Sequence, residues 1–86
     1  MKYVVIDVRE PEEFASGHVD GAINIPPSIL MSDQNRLDEI HKDSNIIVYC
    51  KTGSRSNMAK NILVQMGYKN VINGISKERV KAKFGL

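Results

Sequence analysis

Residues Ile46-Ile47-Val48-Tyr49-Cys50-Lys51-Thr52-Gly53-Ser54-Arg55-Ser56 decide how this chain folds. The four residues before Cys50 are β-branched or aromatic with no polar interruption, the pattern of a strand buried on both faces of a parallel sheet. Cys50 is the only cysteine and falls at the carboxyl end of that strand. From Ser54 onward Met58, Ala59, Ile62, Leu63 and Met66 recur at helical spacing, and Gly67 is placed to end the helix. A helix therefore starts beside the sulfur.

A strand, a tight loop and a helix start together gather backbone N–H groups and the positive end of a helix dipole around one point. An anion suits that point. A free cysteine has a pKa near ~8.5, and helix N-termini and cationic neighbours lower it. Lys51 and Arg55 are expected to act as those neighbours. A downward shift of ~2 units favours the thiolate by about 2.7 kcal/mol, enough to make it the majority form. Gly53 supplies the positive φ that an inward-curled loop needs. A buried, inert cysteine is the competing reading, since cysteine packs as a small hydrophobe; the two cations and the glycine argue against it.

Working outward, Lys2 to Asp7 reads as a β-branched strand, and Glu10-Pro11-Glu12-Glu13-Phe14 as a short helix that Gly17 can close. Asp7 and Arg9, at the strand's end, are expected to form an ion pair that holds a loop rather than to act on a substrate. His18 lies between Gly17 and Gly21 ahead of a strand over Ala22 to Ile25, and an imidazole in such a turn commonly bonds backbone. His41 falls in a polar segment and is read as exposed. Ser28 to Met31 and Asp33 to His41 read as helical, with Leu30, Leu37 and Ile40 inward. Lys42 to Asn45 is a turn into the central strand. Asn70-Val71-Ile72 is a brief strand, Asn73-Gly74 a turn, and Ser76 the cap of a last helix with Ile75 and Val80 stapled across its start.

Strands and helices thus alternate, which specifies an α/β fold: a parallel sheet with helices on both faces and right-handed crossovers. Ligands in such sheets bind beyond the carboxyl ends of the strands, where Cys50 lies. Eighty-six residues make one small domain, 1–86, with no repeats or linkers. A single cysteine excludes an internal disulfide and points to a reducing compartment. Met1 stands almost against the first strand and no apolar run approaches a membrane span, so the expectation is a soluble, cytoplasmic protein without signal peptide or membrane partner. The formal net charge of +2, from 12 Lys and Arg against 10 Asp and Glu, makes no case for nucleic-acid binding. Lys77, Arg79, Lys81 and Lys83 crowd the tail but read as a solvated helix face.

Cys50-Lys51-Thr52-Gly53-Ser54-Arg55-Ser56 resembles the active-site loop of single-domain rhodaneses, the thiosulfate sulfurtransferases. Asp7-Val8-Arg9-Glu10 with Glu13-Phe14, then Gly17-His18-Val19-Asp20-Gly21-Ala22-Ile23-Asn24-Ile25-Pro26, resemble two further signature segments in the expected order, and Gly67-Tyr68-Lys69-Asn70-Val71 resembles the next landmark. Three motifs in order are far more specific than a lone C-x4-R. The chain departs from the family at both ends: the usual leading strand and helix and the closing Gly-Gly-aromatic motif are absent, as in the small stand-alone phage-shock type. An exposed edge strand, or a partner chain covering it, is the expectation that goes with this departure.

The resemblance implies sulfur transfer through a Cys50 persulfide, from thiosulfate or another persulfide donor to cyanide, a thiol or a thioredoxin-like protein. The loop residues Lys51, Thr52, Gly53, Ser54 and Arg55 would bind the substrate, with Lys51 meeting dianionic thiosulfate; Asp7, Arg9 and His18 would support the fold. No cofactor is implied. One cysteine and two separated histidines are no zinc set, and no Gly-rich phosphate fingerprint appears. Two alternatives stand beside this reading. A cysteine-dependent phosphatase or arsenate reductase also uses a thiolate loop ending in arginine, but with C-x5-R where Cys50 to Arg55 is C-x4-R. A sulfur-relay or binding module would keep the fold and depend on a partner for turnover.

Overall fold

The computed structural model describes residues 2–86. Four strands, β1 (Val4–Asp7), β2 (Ile23–Asn24), β3 (Asn45–Cys50) and β4 (Asn70–Ser76), form one parallel sheet in the order β2-β1-β3-β4. Between them run α1 (Pro11–Ala15), α2 (Pro27–Ser32), a single 3-10 turn (Gln34–Leu37) and α3 (Ser54–Gln65), and α4 (Lys77–Phe84) closes the described chain.

The central strand shows why the fold has two layers of helix. Every residue from Ile46 to Cys50 is at most 2% exposed, and successive side chains go to opposite faces. Ile46, Val48 and Cys50 pack with Leu30 of α2, Leu37 and the Ala59 and Leu63 of α3; Ile47 and Tyr49 pack with Val5, Val19 and the Val80 of α4. Helices therefore cover both faces, as the unbroken apolar run requires. The alternation also places the Cys50 side chain on the α3 face.

Three local expectations are corrected. The helix read over Asp33 to His41 is only the 3-10 turn, and Ile40 is partly buried against the core rather than inside it; Leu37 anchors that turn, and its carbonyl accepts a hydrogen bond from the Tyr68 hydroxyl at 3.1 Å. The strand read as ending at Ile72 continues to Ser76. Asn73 pairs with Val48 and Ile75 with Tyr49, so Gly74 is the extra residue of a bulge rather than part of a turn. A Cβ on Gly74 would stand 2.5 Å from Val80 Cγ2 and 2.9 Å from Ile47 Cγ2, so α4 and β3 approach too closely for any side chain there. Ser76 does cap α4, its Oγ accepting from the Arg79 N–H at 3.2 Å. The Ile75 side chain lies toward Gly53 instead of stapling Val80.

Candidate active site

The loop between β3 and α3 closes around the Cys50 sulfur. Gly53 takes φ +100° at the N-cap of α3, which turns its N–H back to Sγ at 3.0 Å. The third residue of the helix, Ser56, aims its N–H at Sγ from 3.4 Å. That group is one of the helix's orphan donors, and the sulfur satisfies it. Ser56 Oγ lies 3.3 Å from Sγ on the buried side.

Burial raises the Cys50 thiol's pKa, but the Ser56 side chain and the backbone N–H groups of Ser56, Gly53 and Thr52 outweigh it and bring the thiol from 9.0 down to about 7. The sequence assigned that lowering to the helix start with its loop N–H groups and to Lys51 and Arg55 as cationic neighbours; the first half holds. The structure corrects the second half: hydrogen bonds within the loop dominate. Arg55 is held in a fork with Glu13, Nη1 to Oε1 at 2.7 Å and Nη2 to Oε2 at 3.1 Å. Arg55 holds the Glu13 carboxyl down at about 2, helped by the Glu10 backbone N–H. Lys51, Thr52 and Ser54 are exposed around the rim.

A cavity of about 250 Å³ adjoins the loop, lined by Cys50 and Lys51 with Arg9, Glu13, Lys77 and Glu78 among its other walls. Its charges are largely paired already. Arg9 is forked onto the fully buried Asp7, Nη2 to Oδ2 at 2.8 Å and Nε to Oδ1 at 3.0 Å, and its Nη2 also donates to the Gly17 carbonyl at 2.6 Å. Glu13 belongs to Arg55. Lys51 and Lys77 remain to meet an incoming anion, against Glu78, which lies 3.8 Å from Lys77 Nζ. His18 sits away from that lining: its Nδ1 is 2.9 Å from the Phe14 carbonyl and its ring stacks on Phe14 at 3.7 Å. A larger groove of about 460 Å³ runs between β4 and α4, and its lining does not include Cys50.

Four residues at this site carried no functional reading from sequence. Ser56 was legible in retrospect as the third helical position, where an N–H is always unpaired. Glu13 and Lys77 lie 37 and 27 residues away; Glu13 fell within a segment of the family resemblance but was given no role, and Lys77 was read as part of a solvated helix face. Asn73 was read as a turn residue, and instead reaches from β4 into the loop: its Nδ2 donates to the Gly53 carbonyl at 3.1 Å, and its Oδ1 accepts from Ser56 Oγ at 2.6 Å.

A parallel α/β sheet with an ionisable cysteine cradled by N–H groups beyond its central strand has the chemistry of a cysteine site that suits an anion. The chain belongs to the rhodanese-like family, whose domain model, Rhodanese-like domain, matches residues 1–74. It is 46% identical over 70 residues to the thiosulfate sulfurtransferase PspE of Escherichia coli K12, covering 79% of this chain and 64% of that protein. It is 36% identical over 69 residues to the putative sulfur carrier protein YrkF of Bacillus subtilis, covering 80% of this chain and 36% of that one. Among solved structures a rhodanese with anions from E. coli superposes with a TM-score of 0.80 at 37% identity, covering 91% of each chain. The chain spans 56%, 63% and 64% of the length of three curated relatives that it matches. The parallel sheet with helices on both faces is the family's fold.

Proposed function

We propose that the protein transfers sulfane sulfur through Cys50, with thiosulfate or another persulfide donor as the source, and that residues 1–86 act as one domain in doing so. The observation that carries the reading is the Cys50 sulfur at about pKa 7 with two backbone N–H groups and a hydroxyl around it. About half the protein is then thiolate at neutral pH. The thiolate attacks the outer sulfur of thiosulfate, the S–S bond breaks, sulfite departs with the bonding pair, and a persulfide remains on Cys50. Cyanide or a thiol then attacks the terminal sulfur, and the electron pair returns to Cys50 as thiolate. Loop N–H groups from Thr52 and Gly53 through Ser54 and Arg55 stabilise the anionic sulfur, and exposed Lys51 captures the dianion.

A second reading is favoured by the sulfur-carrier name of the B. subtilis relative and by the 2% exposure of Cys50: a relay that takes and delivers sulfur only with a partner such as a thioredoxin-like protein. Either way the lone thiol suits the cytoplasm, where it stays reduced. Among the described residues no helix is long and apolar enough to cross a membrane.

Intact mass after exposure to thiosulfate, followed by cyanide, tests the proposal. The expected result is a gain of one sulfur atom, lost as thiocyanate forms, with both events absent in Cys50→Ser. Aryl phosphate turnover without a sulfur adduct overturns it, and an adduct formed only from a protein persulfide donor selects the relay.

A further inference from the structure

The side-chain amide of Asn73 has only one orientation that satisfies its neighbours. Nδ2 faces the Gly53 carbonyl at 3.1 Å, an acceptor, and Oδ1 faces the Ile75 backbone N–H at 3.0 Å, a donor. Flipping the amide would set donor against donor and acceptor against acceptor. Oδ1 is therefore the atom 2.6 Å from Ser56 Oγ, and because a carbonyl oxygen only accepts, Ser56 must donate its proton there. A hydroxyl has one proton. Ser56 thus presents only a lone pair to Cys50 Sγ at 3.3 Å. A neutral thiol fits this arrangement by donating S–H to Oγ. A thiolate does not, since its charge would face that lone pair in a pocket where Ser56 is fully buried and no water can intervene.

We propose that Asn73 is a positioning residue that competes with the Cys50 thiolate for the hydroxyl proton of Ser56. When the thiol ionises, its proton leaves to solvent, the Ser56 O–H turns from Asn73 Oδ1 to Sγ, and Oδ1 keeps the Ile75 N–H; no electrons move. When the charge passes to the terminal sulfur of a persulfide, the hydroxyl returns to Asn73. Only this last consequence rests on the sulfur-transfer reading. The backbone contributes to the arrangement, for Ile75 holds φ +74°, a conformation disfavoured for a β-branched residue, and it is this residue whose N–H secures Oδ1. The charged groups around Cys50 on the surrounding elements are Arg9, Glu13 of α1, Lys51 of the loop, Arg55 of α3, and Lys77 and Glu78 of α4. None of them is altered by the substitutions below.

The test is the pH titration of Cys50, followed by thiolate absorbance and by the rate of alkylation with iodoacetamide, neither of which needs a sulfur substrate. Asn73→Leu keeps the side chain's volume and frees the hydroxyl for the thiolate. Its midpoint is expected to fall by about 0.5 to 1 pH unit, the worth of one neutral hydrogen bond. A merely structural Asn73 gives the opposite sign, because a loosened loop loses N–H donors to the thiolate and the midpoint rises. In a Ser56→Ala background the fall should vanish. An unchanged or raised midpoint in Asn73→Leu, or the same fall without Ser56, overturns the proposal. Should Asn73→Leu not fold, the wild-type protein decides: the side-chain amide carbonyl resonance of Asn73 should titrate with the Cys50 midpoint, and a flat resonance overturns the proposal equally.

Discussion

Arg55 and Glu13, 42 residues apart, meet fork to fork, with both guanidinium Nη atoms on the two carboxylate oxygens at 2.7 and 3.1 Å. The pair ties the first turn of α3 to α1 and neutralises most of the charge that Arg55 would otherwise present to an anion. Both side chains are about a third exposed, 37% and 33%, so solvent screening limits what the pair adds to stability.

Glu13→Gln tests both roles. The Glu13 carboxyl is held at about 2, below its ordinary 4.5. Because the folded value is the lower one, the stabilisation is complete above about pH 4.5 and is lost as pH falls toward 2. The variant should lose about 0.2 to 1 kcal/mol in urea unfolding at neutral pH, and the difference from wild type should disappear near pH 2. With Arg55 unpaired, the thiosulfate KM should fall by about two- to five-fold, the same free energy seen as binding. A KM unchanged by the substitution would mean that the Arg55 charge does not reach the substrate.

The thiol gives stability a slope in the opposite part of the pH range. Cys50 ionises near 7 in the folded protein against 9.0 as its ordinary value. Its contribution is therefore present in full above about pH 9 and is lost as pH falls through 7. Wild type should gain on the order of 2 to 3 kcal/mol over Cys50→Ser between pH 6.5 and 9, measured as the difference in urea midpoints. Parallel curves for the two proteins would show that the folded thiol is not selectively ionised.

Lys51→Ala separates capture from chemistry. Lys51 is exposed on the cavity wall and makes no hydrogen bond or ion pair among the described residues. The thiosulfate KM should rise by about three- to ten-fold at low salt with little change in kcat, and the difference should shrink as salt is added. A fall in kcat with KM intact would place Lys51 in the chemical step instead.

Asp7→Ala addresses the scaffold beneath the cavity. Asp7 is fully buried and accepts from the Arg9 backbone N–H, Nε and Nη2. Removing it strands a buried guanidinium, which should cost about 3 to 5 kcal/mol in urea unfolding. Replacing both partners, as Asp7→Leu with Arg9→Met, should recover part of that loss because no charge is left unpaired. A double variant less stable than the single one would show that Arg9's bond to the Gly17 carbonyl outweighs the ion pair.

The sequence by itself determined the architecture, because its strongest signals are local and periodic. Five consecutive buried positions from Ile46 to Cys50 cannot be covered by one layer of helix, and the helical spacing from Ser54 places a helix start beside the sulfur. Gly53 was legible for the same reason, since a loop so short needs one residue at positive φ. The segment after Asp33 was misread because its apolar residues are spaced like a helix while only Leu37 finds a full burial site. What tertiary structure alone decided is the electrostatics of the site. Arg55 looks like a free cation in the chain and becomes half of an ion pair when α1 folds against α3. Asn73-Gly74 looks like a turn and is instead a bulge of β4, where α4 and β3 leave no room for a side chain on Gly74. That bulge sends Asn73 to the loop, where it meets Ser56 across 17 residues of sequence. Hydrogen-bond partners so far apart in sequence leave no periodic trace, and they appear only once the sheet has set the distances.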